Sequence, residues 1–352
     1  MDNQNNGCSA LMHWLIFICQ FKWDGASVGY GKQPVASNVI EMKSQLLKSL
    51  KERHDVVSGE FLSRHLGVSR VAIWKHIQKL QTCGYNIQSG PKGYRLINSP
   101  DTPFAWEFPQ RESCIHYFDS AGSTMEIARE LARKGCPDFS VVIAETQTKG
   151  RGRMDRNWWS PEGGLYFTLV LRPHIPPVMS PLVNFGAAIV LARTLQDICN
   201  VDARVKWPND ILVDGRKVSG MLSEMEAADD QVSFVNIGIG INMNNDLPPD
   251  LPFATSVKNI SGKTCSRKAF LTEFLDRLED RIHQPDLAGV ITEWKNCSAT
   301  LGQQVKIVSR QGVTEGKAMD VDPTGALIVR TQDGNLEKIY YGDCFHQPPP
   351  EN

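Results

Sequence analysis

Residues 148–161, "TKGRGRMDRNWWSP", set Lys149, Arg151, Arg153 and Arg156 against the single acid Asp155, with Gly150, Gly152, Pro161 and two adjacent tryptophans among them. Clustered cations can surround phosphate oxygens, glycines let a backbone come close to a ligand, and an indole offers a stacking face. In a chain whose formal net charge is -1, such a loop fits an anion that carries a flat ring, and a nucleotide has both parts. A second stretch, "RVKWPNDILVDGRKVSG" (204–220), places Lys206, Asn209, Asp210 and Lys217 around a tight Pro-Asn-Asp turn. Two basic sites with an acid between them fit activation of a carboxylic acid by ATP. The plain alternatives are a solvated basic loop and a hairpin whose Asn and Asp merely satisfy backbone groups.

Two familiar nucleotide signals fail. "SGKT" (261–264) has Val257 where a phosphate-binding loop requires its first glycine, and "GIGINM" (238–243) lacks the third glycine of a dinucleotide fingerprint. Eight scattered histidines without ligand spacing argue against a structural metal site. Nine cysteines, odd in number and without a C-x-x-C pair, read as reduced thiols rather than a disulfide frame.

The elements that must position these loops follow from periodicity. From residue 114 onward, short apolar runs ("CIHYF", "SVVIAE", "LYFTLVLRP") alternate with amphipathic helices at 124–134 and 182–198. "KVSGMLSEMEA" and "QVSFVNIGIGINMN" read as paired strands, and a helix at 267–283 closes a mixed α+β unit. Residues 301–345 carry short strands separated by "DPTG" and "QDGN" turns, the pattern of a small β-barrel.

The chain's 352 residues leave room for two or three packed units, and its charge divides unevenly between them. Residues 43–97 carry ten Lys or Arg against three Asp or Glu, while residues 98–352 carry 26 against 33, so a basic module precedes an acidic body. Within the basic segment, a helix at 44–52, a second at 59–66, the break "GVS" and a third helix capped by Ser69 make a helix-turn-helix. Ile73, Ile77 and Leu80 form its buried stripe; Arg70, Val71, Trp74, Lys75 and Gln78 form the other face. "NIQSGPKGYRLI" (86–97) adds a wing that offers Lys92 and Arg95 to phosphates. Trp74 can contact thymine methyls or pack beneath the wing. The N-terminal run "ALMHWLIFIC" (10–19) is too short for a membrane helix and lacks the basic start of a secretory signal. Residues 1–41 therefore read as a disordered or artefactual extension.

At this point the residues resemble the biotin protein ligases, specifically the bifunctional kind that also represses biotin synthesis. "DSAGSTMEIA", "ETQTKGRGRMDRNWWSPEGGLYFTLVL", "VKWPNDILVDGRKVSGMLSE" and "GIGINMN" stand in the family's order and spacing from Lys43 to Phe345. The resemblance implies an α+β protein of three parts: a winged helix-turn-helix at 42–98, a catalytic domain of the class II synthetase-like biotin/lipoate ligase type at 112–297, and an SH3-like barrel at 298–347. It implies ATP, Mg²⁺ and biotin as ligands, a biotinyl-5'-AMP intermediate, and transfer to one lysine of a biotin carboxyl carrier protein of acetyl-CoA carboxylase. It further implies a homodimer when adenylate-bound, operator DNA as partner, no membrane, and a cytoplasmic location.

Residue by residue, the resemblance makes Arg153, Lys217 and Asp210 catalytic. It lines the biotin site with Ser123, Thr124, Met125, Gln147, Arg151, Gly152, Arg153 and Lys217, with Gly238 and Gly240 giving the bicyclic ring close access. Met125 stands where some members carry Asn. Trp158 is implied to stack on adenine, with Arg156, Asn209, Asp210 and Asn242 at phosphates, metal or ribose. Ser69, Arg70, Val71, Trp74, Lys75, Gln78, Lys92 and Arg95 fall to DNA. Ser123 and Thr124 also suit a helix N-cap. Two rivals remain: a ligand-sensing transcription factor with a degenerate catalytic body, and a ligase without DNA binding.

Overall fold

The structure is a computed structural model and describes residues 37–53, 55–282 and 289–347. The reading of the N-terminal extension thus lies outside the described residues as far as position 36. From there it is corrected: α1 (Ser37–Arg53) is already helical five residues before Met42, and Ile40 packs against apolar core. Leu46, Leu47 and Leu50 bury its inner stripe. α2 (Gly59–Leu66) is capped by Ser58, which accepts from the Phe61 amide, and stops at Gly67, whose φ of 66° suits a residue without Cβ. α3 (Arg70–Thr82) starts at Ser69, which accepts from the Ala72 amide at 3.2 Å. Ile73, Ile77 and Leu80 are fully buried, and β1 (Asn86–Gly90) with β2 (Gly93–Asn98) makes the antiparallel wing. This core reaches past residue 98 to take in Phe104 and Trp106.

The catalytic body is built on seven strands: β3 (Ile115–Ala121), β4 (Ser140–Gln147), β5 (Leu165–Leu171), β6 (Ala203–Lys206), β7 (Asp210–Val213), β8 (Arg216–Ala228) and β9 (Gln231–Ile241). Their order is β3-β4-β5-β9-β8-β7-β6. Only β3 and β4 run parallel, joined across α4 (Thr124–Arg133). Alternation on β9 decides what each face does. Val235, Ile237, Ile239 and Ile241 enter the main core with α5 (Ser180–Cys199) and α7 (Arg267–Ile282). Phe234, Asn236, Gly238 and Gly240 face the other way, where Phe234 packs with Ala128 and Ala132 of α4. Short helices α6 (Val257–Ser261) and α8 (Gly289–Asn296) complete the body. The segment Pro177–Cys199 is long and apolar enough to cross a membrane by composition, but 72% of its most apolar window is buried in the protein.

β10 (Gln304–Ser309), β11 (Gly312–Val321), β12 (Leu327–Thr331), β13 (Leu336–Ile339) and β14 (Asp343–His346) form an antiparallel sheet in the order β13-β12-β11-β10-β14. Val305, Ile307, Leu327 and Val329 join the main core, which docks this unit on the body. One expectation is overturned: Cys199, ending α5, and Cys265, two residues before α7, are joined in a disulfide. They lie 66 residues apart in sequence, and only the packing of α5 on α7 brings their Cα atoms to 6.0 Å.

Candidate functional site

The basic loop leaves the C-terminal end of β4 as a small hairpin. The Trp158 amide donates to the Gly150 carbonyl at 2.9 Å, the Gly152 amide donates to the Arg156 carbonyl at 2.7 Å, and Met154 and Asp155 turn the chain in the left-handed region. Opposite it, Trp207 anchors the Pro-Asn-Asp turn. Its amide donates to Thr300 Oγ1 and its ring N–H to the Gly325 carbonyl, each at 3.0 Å. The two segments meet. Arg153 Nη1 donates to Asn209 Oδ1 at 3.0 Å, and Lys217 Nζ lies 2.6 Å from Asp210 Oδ1, with Lys206 Nζ at 3.8 Å from the same carboxylate. Burial holds the Arg153 guanidinium below its ordinary pKa against the pull of Asp343 and Asp210. Lys217 also sits 5.3 Å over the Trp158 ring.

A chain of hydrogen bonds builds the adjoining region. Thr168 Oγ1 donates to Thr124 Oγ1 at 2.9 Å; Thr124 donates to Gln147 Oε1 through Oγ1 at 3.2 Å and through its amide at 2.9 Å. Gln147 Nε2 then donates to Ser160 Oγ at 3.0 Å, and Ser160 to the Trp158 carbonyl. Ser123 precedes α4 but makes no side-chain cap, and its buried hydroxyl has no partner. The simple N-cap reading of Ser123 therefore fails.

Other expected positions have partners within the chain. A Cβ on Gly240 would lie 2.4 Å from the Trp158 indole, and one on Gly238 would lie 2.6 Å from Met125 Sδ. The space that these glycines leave is filled by the chain's own side chains, Trp158 over Gly240 and Met125 over Gly238. Arg151 pairs with Glu224 at 3.2 Å, and Gly152 lies in the loop hairpin. Arg156, expected at phosphates, pairs with Asp343 of β14. Asn242 is buried behind the loop after β9, where its Oδ1 accepts from Asn245 Nδ2 at 3.2 Å.

Reading by motif missed Thr168, Glu224, Asn236, Asp343 and Arg267. Alternation along β5 and β9 could have placed Thr168 and Asn236 on the site face, but nothing local pointed to the others. For a metal, Asp210 offers oxygen; among the described residues no cluster of three or more His, Cys, Asp or Glu could hold an ion by itself.

In the winged helix, Arg70, Val71, Trp74, Lys75 and Gln78 are all exposed on one side of α3, and Lys92 and Arg95 are exposed on the wing. A groove of about 390 Å³ runs between them, lined by Arg70, Val71, Trp74, Pro91 and Lys92 among others. Trp74, 51% exposed, forms part of its wall and is not packed beneath the wing.

Comparison with known proteins agrees in all three parts. Residues 117–244 match the biotin/lipoate A/B protein ligase family, residues 43–95 match an HTH domain, and residues 300–347 match the biotin protein ligase C-terminal domain. Fold and site thus define the class as a biotin/lipoate-type protein ligase with a DNA-binding module at its N-terminal side. The bifunctional ligase/repressor BirA of Bacillus subtilis is 35% identical over 322 residues, covering 86% of this chain and 99% of its own; that of Escherichia coli is 28% identical over 322 residues, covering 87% and 97%. Biotin protein ligase from Aquifex aeolicus in complex with biotin and ATP superposes with a TM-score of 0.56 at 28% identity, covering 66% of this chain and 98% of that one. The chain belongs to the bifunctional biotin protein ligase/repressor family.

Proposed function

We propose that this protein joins biotin to AMP at the expense of ATP, passes the biotinyl group to a lysine of a biotin carboxyl carrier protein, and represses transcription in response to biotin. The observation that carries the reading is the convergence of Arg153 and Lys217 on the Asn209–Asp210 turn, beside the Thr124–Gln147 site. In the first step a biotin carboxylate oxygen bonds to the α-phosphorus and the bond to the pyrophosphate oxygen breaks. The carboxylate is already ionised at neutral pH, so the demand is charge stabilisation on phosphate oxygens, which suits a guanidinium and an ammonium held in place. In the second step the lysine amine attacks the acyl carbon, AMP leaves with the bonding pair, and the amine's proton must go to a base. Asp210, whose Oδ1 lies 2.6 Å from the Lys217 ammonium, would take it once Lys217 turns to the phosphates.

Asp210 also fits Mg²⁺, since that ion is held by one or two carboxylates together with substrate phosphates. When bound it would supply further neutralisation of phosphate charge. The Gly/Arg hairpin would cover the mixed anhydride and exclude water. The exposed face of α3 with the wing supports operator binding, with a homodimer on the adenylate form presenting two such faces. ATP and operator DNA as ligands support a cytoplasmic site of action.

Biotin-dependent exchange of pyrophosphate into ATP tests the reading. The wild-type chain should support exchange, and Lys217→Ala should lower kcat/KM by about 10²-fold or more, the scale of losing one preorganised charge. Absence of exchange in the wild type would leave a ligand-sensing DNA-binding protein.

A further inference from the structure

At the start of α4 and on the strands beneath it, Ser123, Thr124, Thr168 and Asn236 are buried polar residues, with Asn236 at 0% exposure and Ser123 at 1%. Their hydrogen-bonding capacity is unequally spent. Thr168 and Thr124 are linked to each other, and Gln147 Oε1 already receives two donors from Thr124, which fills both of its acceptor positions. One Gln147 N–H goes to Ser160. By contrast the Ser123 hydroxyl and both polar atoms of Asn236, Nδ2 and Oδ1, have no partner.

Asn236 lies on the β9 face shared with Phe234, Gly238 and Gly240. Phe234 is under Ala128 and Ala132, and Gly238 is under Met125, so Asn236 lies between them, about 7 Å along the strand from Gly238. A buried amide with neither donor nor acceptor used is costly, and native chains keep one where something else pairs it. A single partner that offers a donor and an acceptor side by side would pair both atoms at once. The ureido edge of biotin does so, whereas a thioether or an alkyl tail does not.

We infer that Asn236 is a specificity-determining residue of the biotin site, its carboxamide pairing with the ureido N–H and C=O while Ser123 meets a further ureido group. The inference rests on the ligase reading above.

The test uses full-length Asn236→Val and Asn236→Ala in biotin-dependent pyrophosphate exchange, with desthiobiotin, which keeps the ureido group and lacks the sulfur, as second substrate. Both variants should raise KM for biotin and for desthiobiotin by about ten-fold or more, with KM for ATP and kcat within two-fold. The melting temperature without ligand should be unchanged or higher, because the unpaired amide is gone. An unchanged biotin KM in a variant that melts normally would assign the amide to an internal water and overturn the inference. So would a loss confined to biotin, which would put the amide at the sulfur. If Asn236→Val does not fold, Asn236→Ala decides alone. Failure of this inference leaves wild-type exchange intact, whereas failure of the ligase reading removes exchange from the wild type itself.

Discussion

At the residue scale the site turns on contacts with no slack. Trp158 lies on Gly240 and Gly220, with a Cβ at either position falling 2.4 Å and 2.9 Å from its ring, and its indole N–H is buried without a partner. The indole has no rotatable bond within its rings and must swing as one plate, whereas the Met125 side chain over Gly238 ends in a flexible thioether. Gly240→Ala should therefore displace Trp158 and the Lys217 ammonium above it, lowering kcat/KM in pyrophosphate exchange on the order of ten- to hundred-fold, as small misplacements of reacting groups do. Gly238→Ala should cost clearly less in the same assay. Equal losses would mean that the indole shifts as readily as the methionine. That both glycines admit close approach followed from the family resemblance of "GIGINMN"; which side chains fill the space did not, because Trp158 and Met125 come from other segments.

At the element scale Arg267, at the start of α7 and 6% exposed, ties three segments together. It donates to Asp101 Oδ2 at 3.2 Å, to Glu145 Oε1 at 2.7 Å and to the Gly164 carbonyl at 2.9 Å. One guanidinium thus joins the segment after the wing, strand β4 two residues before Gln147, and the entry to β5. Burial lowers its pKa, but the two carboxylates raise it more, leaving it above its ordinary value. Arg267→Met strands Glu145 in a partly buried place, and breaking a buried pair costs about 3–5 kcal/mol. Urea unfolding should show a loss of this order. Arg267→Lys should recover only part, since an ammonium lacks the fork that reaches three acceptors. A loss below about 1 kcal/mol would mean that the ion pairs behave as surface pairs.

At the scale of the whole molecule, Glu107 stands between the winged helix and the body. Lys51 of α1 lies 2.8 Å from it, Lys268 of α7 lies 3.5 Å away, and Tyr85 donates to its other oxygen. Burial raises the Glu107 pKa, but hydrogen bonds from Lys51 and Tyr85 more than offset this and hold it below the ordinary carboxylate value. On the proposed function the adenylate binds the body and the operator binds the winged helix, each changing affinity for the other, and Glu107 contacts both parts. In gel shift at fixed salt, biotinyl-AMP should tighten operator binding by the wild type. Glu107→Gln should shrink that gain while leaving pyrophosphate exchange near normal. Flat operator affinity in the wild type would remove the regulatory half, and an undiminished gain in the variant would place the coupling elsewhere.

Sequence alone determined the parts: the capped helices of the DNA module, the strand alternation, the Gly/Arg loop and the Pro-Asn-Asp turn are local, and each follows from side-chain chemistry within a few residues. Tertiary structure decided the partners. Arg156 meets Asp343 across 187 positions, and Arg267 meets Asp101 across 166. The Cys199–Cys265 bond and the unpaired Asn236 amide likewise exist only once α5, α7 and α4 have packed on the sheet. Periodicity and capping act over one or two turns of chain, whereas which charge or amide is left without a partner depends on everything that folds over it.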